Sequence, residues 1–293
     1  MTSTIREQLD TAPCYCCGGR DGAVWGEENG FTMIKCADCG LVYLNPRPSE
    51  DAIDEAARTG LHRAGAGVLN AIGSYSRRKV DEYRTKLTQL LGPGALARQP
   101  VRWLDIGAGY GELVEAVQQL AGENAEVLGI EPCEPKVKKA RARGRPIEPR
   151  ALKDAGTGLT HISLINVYSH LPDPAAFLAE LRPRLAPGGY LLLVTGNAAD
   201  VTRDEFPGAL YLPDHLSFAG EVTLKRVLNK AGFDIVKMDS HAALPTSDGL
   251  VTTFVKNIAR RLYGRAALPS SFPPNSRFRS LWILARVRVP NQE

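Results

Sequence analysis

The segment Trp103-Leu104-Asp105-Ile106-Gly107-Ala108-Gly109-Tyr110-Gly111-Glu112 constrains this chain more than any other. An apolar run over 101–106 gives way to glycine at every second position, and a helical pattern follows over 112–120. A strand that turns sharply into a helix suits that order. Gly107, Gly109 and Gly111 let the backbone turn tightly and come close to a ligand, with Ala108 between them. A dinucleotide fingerprint needs Gly or Ala where Glu112 stands, and a carboxylate there repels a pyrophosphate, so NAD and FAD are disfavoured. No Gly-Lys-Ser/Thr follows, which argues against a nucleotide P-loop. Two acids complete the pattern. Asp105, at the end of the strand, can accept a hydrogen bond from a cationic amine. Glu131 ends the next strand and can take both hydroxyls of a ribose. The three together predict a nucleoside site.

Past residue 100 short apolar runs alternate with helical periods. Strands are expected at 101–106, 126–130, 162–167, 190–195, 233–238 and 281–289, and helices at 112–120, 136–143, 175–185 and 221–231. That alternation predicts an α/β fold with a mostly parallel sheet covered by helices on both faces. Before it, apolar residues at three- to four-residue spacing predict a helix over 74–91. Ser49 followed by two acids reads as a helix start. The Gly- and Ala-rich stretch 58–73 reads as a mobile connection, and the long Pro-rich stretch 243–278 as an insertion before the last strand.

Five of the six cysteines lie between positions 14 and 39. Cys14-x2-Cys17 and Cys36-x2-Cys39 have the spacing of two knuckles that wrap one tetrahedral zinc ion. Cys17, not Cys16, is taken as the ligand because only 14/17 mirrors 36/39. Short strands at 22–26 and 31–35 between the knuckles complete a zinc-ribbon layout, which the Pro-x-Pro at 46–48 closes. The expected division is therefore a ribbon over 1–48, a helical linker and cofactor-covering helix over 49–98, and the α/β domain over 99–293. Four thiolates close the coordination shell, so this zinc is expected to be structural.

Bulk composition excludes little. Of 293 residues, 44% are hydrophobic and 23% charged, with a formal charge of +4, ordinary for a soluble globular chain. There is no apolar run long enough for a membrane span and no apolar core in the first ten residues, so neither a membrane partner nor a signal peptide is expected. A cytoplasmic, reducing compartment is the expectation. No signal for oligomeric state stands out.

The chain resembles the class I S-adenosylmethionine-dependent methyltransferases. The matching residues are LDIGAGYG at 104–111, Ile130-Glu131, the run from Asn166 and Val167 to Pro174, and Leu185-Ala186-Pro187-Gly188-Gly189. His215-Leu216-Ser217-Phe218 and Ala231-Gly232-Phe233 continue the pattern. The resemblance covers about residues 75–240 and implies a seven-stranded Rossmann-like sheet that binds S-adenosylmethionine. It looks nearest to a subgroup with an N-terminal four-cysteine module and an NPRP-like segment, whose members modify small molecules, often sugars or other secondary metabolites. Where many relatives have Glu-His after the fourth strand, this chain has Ser169-His170.

Methyl transfer to a hydroxyl gains from a general base, and histidine suits that role. His215, in the loop after the fifth strand where the resembled family binds its acceptors, is the favoured base. His170 serves either catalysis or the orientation of its loop. Tyr211 and Asp214 either bind the acceptor or hold the loop. His62, His161 and His241 show no constellation. Two other readings stand beside a small-molecule O- or C-methyltransferase. A nucleic-acid methyltransferase is disfavoured by an Asn166-Val167-Tyr168-Ser169 strand end and by a ribbon with more acids than bases. The other is a binding protein that senses the cofactor without turnover.

Overall fold

The alternating runs after residue 100 do form one sheet. The structure is a computed structural model that describes residues 9–64, 67–150, 152–206, 208–242, 258 and 277–288. In chain order, β1 (Leu9–Asp10), β2 (Gly22–Glu28), β3 (Phe31–Cys36), β4 (Val42–Leu44) and β5 (Arg47–Pro48) come first. Then follow α1 (Glu50–Thr59), β6 (Leu61–Ala64), β7 (Gly67–Asn70) and α2 (Arg77–Leu91). The larger part holds β8 (Val101–Ile106), α3 (Glu112–Ala121), β9 (Ala125–Ile130), α4 (Glu134–Arg141), β10 (Ile147–Glu148), β11 (Leu159–Ile165) and α5 (Pro174–Leu181). It continues through β12 (Leu185–Gly196), β13 (Ser217–Phe218), α6 (Glu221–Lys230), β14 (Phe233–Ala242) and β15 (Arg279–Val287).

The main sheet has seven strands in the order β10-β9-β8-β11-β12-β15-β14. All run parallel except β15, which is antiparallel to both neighbours. Strand period decides which side chain meets which layer. Leu104, Ile106, Leu191, Leu193, Leu281 and Ile283 pack with α5 and α6. Their alternates Val101, Trp103, Leu192, Val194 and Trp282 pack with α2 and α3. The carboxyl ends of β8, β9, β11 and β12 lie along one edge, the place where open α/β sheets bind ligands.

Several local expectations are corrected. The stretch read as a mobile connection contains an antiparallel hairpin, β6–β7, paired from Leu61↔Asn70 to Ala64↔Gly67. Glycine and alanine there resemble a linker, but backbone pairing needs no large side chains. The helix expected over 175–185 is α-helical to Leu181 and continues as a 3-10 turn over Arg182–Arg184, and only Leu185 already belongs to the sheet, paired with Leu159. Asp173 starts that helix by accepting a hydrogen bond from the Ala176 amide. As expected, Ser49 caps α1 through the Ala52 amide. The proposed insertion at 243–278 lies outside the described residues apart from Ile258 and residues 277–278.

The N-terminal strands do not stand apart from the rest. Their sheet runs β13-β4-β3-β2, so Ser217 and Phe218, from the loop beyond β12, pair with Tyr43 and Val42. Trp25, Phe31, Met33, Val42 and Leu44 share a buried cluster with Ala198, Leu210, Leu212 and Leu216 of the same loop. Full burial of each large side chain contributes about 1.5–3 kcal/mol, so this seam is a substantial part of the fold.

Candidate active site

The glycine loop is shaped by contacts that leave one side open. Gly107, Gly109 and Gly111 all have positive φ, at 67°, 56° and 83°. A Cβ on Gly107 would stand 2.4 Å from Val167 Cγ2, and one on Gly111 2.9 Å from Ile147 Cδ1. A Cβ on Gly109 would meet nothing within 4 Å among the described residues. Gly109 therefore borders open space at the mouth of the loop, where a ligand can approach the backbone.

Both predicted carboxylates sit at this loop. Glu131 is 4% exposed; its Oε2 accepts from the Gly109 amide at 2.8 Å and its Oε1 from the Cys133 amide at 3.0 Å. Each oxygen keeps acceptor capacity for a ribose hydroxyl. Asp105 is 2% exposed and accepts from Ser163 Oγ at 2.6 Å, while Ser163 accepts from Trp103 Nε1 at 2.8 Å. Burial pushes the Asp105 carboxyl up to about 7; the Ser163 hydrogen bond opposes this, and the charges of Glu131 and Glu112 add to it. A cation docking against Asp105 would restore its charged form. Asn166 follows β11 with φ 57°, a backbone state in which non-glycine residues are uncommon and often functional. Its neighbour Val167 buttresses Gly107.

Glu112 has a further job. Its Oε1 accepts from the Ser76 amide at 3.0 Å, which satisfies a free donor at the start of α2. Glu115, one turn on, takes Tyr75 Oη and Arg77 Nη1, both at 2.8 Å, and an ion pair from Arg145. Arg77 is thus committed to Glu115. These long-range partners carried no local signal.

A second group gathers histidines from three parts of the chain. Asp214 Oδ1 lies 2.9 Å from His170 Nδ1 and 3.1 Å from His62 Nε2. His170 Nδ1 also faces the Asp214 carbonyl at 2.9 Å. Burial acts to lower the His170 pKa, but the charge and hydrogen bonds of Asp214 prevail and raise it. The same partners hold Asp214 well below the usual carboxylate range against the cost of burial. His215 lies beside them, its ring centroid 4.8 Å from that of His170. Its Nδ1 is 2.8 Å from the Leu210 carbonyl. A carbonyl oxygen only accepts, so Nδ1 carries the proton and Nε2 keeps its lone pair. Burial, then the charge of His170, push the His215 pKa down to about 4. Tyr211, 41% exposed, stands edge-on to His215 at 6.0 Å and has φ 57°. Asp214 is thus occupied in orienting two histidines. His62, which showed no constellation in the sequence, joins them through the hairpin misread as a linker. His161 is instead a core residue, stacked 4.6 Å from Trp103.

The predicted metal ligands come together as a set. The Sγ atoms of Cys14, Cys17, Cys36 and Cys39 all lie within 4.8 Å of one another. Both knuckles close through backbone bonds, Gly18 N to Cys14 O at 2.7 Å and Gly40 N to Cys36 O at 3.0 Å. Cys16 is outside the set and fully buried in the main core. The donor chemistry fits a thiophilic dication such as Zn²⁺. The Gly19 amide points at Cys17 Sγ at 3.4 Å, and the buried Tyr43 hydroxyl, without a hydrogen-bond partner among the described residues, feels all four cysteines. As a free thiol Cys14 is pushed up to about 12 by burial, so a bound cation is what would bring it to thiolate at neutral pH.

Comparison with known proteins agrees with this geometry. Residues 75–238, more than half of the chain, match a family model described as a methyltransferase domain. The ubiquinone biosynthesis O-methyltransferase of Parvibaculum lavamentivorans is 29% identical over 144 residues, 45% of this chain and 56% of that protein. The chain spans about half the length of the curated relatives it matches. Among solved structures, a Galdieria sulphuraria protein provisionally named a sarcosine dimethylglycine methyltransferase superposes with TM-score 0.53 at 12% identity, covering 74% of this chain and 92% of that one. A Bacillus halodurans protein provisionally named a methyltransferase gives TM-score 0.51 at 18% identity, over 70% of this chain and 99% of that one. At such identities these two show the fold alone.

Proposed function

The chain belongs to the class I S-adenosylmethionine-dependent methyltransferases, and on that premise we propose that it methylates a hydroxyl of a small molecule, a sugar or another secondary metabolite. The observation that carries this reading is His215, neutral, with Nδ1–H tied to the Leu210 carbonyl, which leaves the Nε2 lone pair as the ring's basic site. The names of the curated relatives, O-methyltransferases of ubiquinone biosynthesis, support oxygen as the accepting atom. The six unpaired cysteines are in keeping with a reducing, cytoplasmic setting.

S-adenosylmethionine, when bound, supplies an electrophilic methyl carbon on a sulfonium. The chain's part is alignment and proton transfer. Gly107, Ala108, Gly109 and Gly111 shape the cradle, Glu131 takes the ribose hydroxyls, and Asp105 takes the methionine amine. Asn166 and Val167 close the cradle from the end of β11. As the acceptor oxygen bonds to the methyl carbon, the carbon–sulfur bond breaks with its electron pair left on sulfur as a neutral thioether, and His215 Nε2 takes the hydroxyl proton. His170, held by Asp214, stands next to that proton and tunes its affinity. Tyr211 borders the acceptor from the exposed side.

The test is transfer of labelled methyl to panels of sugar, sugar-nucleotide and phenolic acceptors, beside RNA and DNA at fixed salt. Label in the small molecules is expected, and label confined to nucleic acid would overturn the reading. Between positions 14 and 39 the acids Asp21, Glu27, Glu28 and Asp38 outnumber the bases Arg20 and Lys35, which weighs against the nucleic-acid alternative.

Cofactor affinity should depend on pH through Asp105. The free carboxyl is half protonated at about 7, whereas the amine needs a carboxylate. Affinity should therefore fall about tenfold per unit below pH 7, and decline again above about pH 8 as the α-amine loses its own proton. Calorimetry from pH 5.5 to 8.5 measures this. Asp105→Asn should flatten the curve at weak affinity, and a pH-independent wild type would refute the assignment.

Zinc is proposed as a structural ion on Cys14, Cys17, Cys36 and Cys39. Cys36→Ser should lose the metal, measured by elemental analysis, and lower the unfolding temperature by several degrees. Full retention of metal in Cys36→Ser would remove the site.

A further inference from the structure

The geometry points to a role for the tip of the ribbon hairpin: Glu28, with Asn29, is a positioning residue that hangs the base His215 in its productive orientation. The proposal rests on the reading of His215 as that base.

The turn between β2 and β3 is Asn29-Gly30, with φ of 56° and 82°. This is the two-residue geometry that best matches strand twist, and it joins Glu28 to its cross-strand partner Phe31. Glu28 Oε2 accepts from the Leu210 amide at 2.8 Å and its Oε1 from the Leu212 amide at 3.3 Å. Those amides flank Tyr211, whose positive φ turns both N–H groups toward one carboxylate, in the manner of an anion nest. Asn29 Nδ2 donates to the Leu212 carbonyl at 2.7 Å. The side chains of Leu210 and Leu212 are fully buried against Trp25, Phe31 and Met33 of the ribbon. Residues 210–212 are thus pinned to the ribbon at backbone and side chain alike.

The same three residues hold His215. The Leu210 carbonyl takes its Nδ1–H at 2.8 Å, and the Tyr211 carbonyl takes its amide at 3.2 Å. The path from Glu28 to the imidazole is therefore one residue long: carboxylate, Leu210 amide, Leu210 carbonyl, ring. Loss of the carboxylate frees the backbone at Leu210, and with it the hydrogen bond that selects the tautomer. Charge alone does not explain Glu28, because both of its oxygens are used by neutral amides. The charged groups that bear on His215 are His170 beyond β11, Asp214 on its own loop and His62 on β6. Arg203 lies near Glu28.

The test compares Glu28→Ala, Glu28→Gln and Asn29→Ala with His215→Ala in the full-length, metal-loaded protein. Glu28→Ala should lower kcat about tenfold or more with cofactor affinity within twofold. It should also move the acid limb of the kcat–pH profile upward, as the ring regains contact with water. Glu28→Gln keeps one acceptor and should recover most of the rate. Correlation of the His215 ring nitrogens by NMR should show Nδ1–H in the wild type and a mixture of tautomers in Glu28→Ala. If Glu28→Ala does not fold, Asn29→Ala, which loses one hydrogen bond, carries the same readouts at smaller amplitude. An unchanged tautomer and acid limb, beside a His215→Ala that has lost its rate, overturn the positioning role. A His215→Ala that keeps its rate overturns the base instead, and the NMR signal still reports whether Glu28 holds the ring.

Discussion

His215→Ala is expected to lower kcat by roughly 10²–10⁴ while leaving cofactor affinity within about twofold. The asymmetry follows from where the residue sits. Among its own contacts His215 touches the Leu210 and Tyr211 backbone and the rings of His170, Tyr211 and Phe218, none of which belongs to the glycine loop. A deleted base removes an interaction made as the proton leaves, so the loss belongs in kcat. Neighbours should not replace it. Asp214 is engaged by His62 and His170, and His170 has its Nδ1 committed to Asp214. His170→Ala should differ in kind. Without the adjacent positive charge the His215 pKa should rise, so the acid limb of kcat moves toward neutrality while the basal rate falls less. Near-normal turnover of His215→Ala on the identified acceptor would return it to a structural role.

How far each feature could be read from the sequence depended on its range in the chain. The strand, glycine loop and helix lie within 101–121, and glycine spacing declares them locally. The four cysteines announce themselves by spacing as well, and the sulfurs do converge. His62 is different: it reaches Asp214 from 152 positions away, across a hairpin whose small residues imitate a linker. Glu28 meets Leu210 across 182 positions and reads in the sequence only as one of several ribbon acids. The two-residue strand Ser217–Phe218 exists because β4 offers it an edge, and no propensity announces that. One missed signal was local. Asn29-Gly30 between two apolar runs is a hairpin turn by composition, and it marks where the ribbon touches the loop. Glu112 was legible as an exclusion of pyrophosphate, but its partner Ser76 was not.

Gly107→Val is expected to abolish detectable cofactor binding, a loss of at least a hundredfold, or about 2.7 kcal/mol. Two independent costs coincide there. The backbone holds φ 67°, a region that is a genuine outlier for a β-branched residue. The new Cβ would also stand 2.4 Å from Val167 Cγ2, more than an ångström inside a normal carbon contact. Val167 has little room to yield, because it packs on the core at the end of β11. The loop must move instead, and Gly109, whose amide is held by Glu131 at 2.8 Å, moves with it. That displaces together the cradle and the carboxylate assigned to the ribose. Gly109→Ala is the matched contrast. It meets nothing within 4 Å among the described residues, so its effect on stability should be limited to the φ cost of about 1–2 kcal/mol. Its effect on cofactor affinity should be much larger than a remote surface change would give, since its Cβ points into the space a ligand needs. Calorimetry beside thermal unfolding separates the two. Gly107→Val should lose both affinity and several degrees of stability, Gly109→Ala mainly affinity. Unchanged affinity in Gly107→Val would show that the cofactor does not lie on this loop.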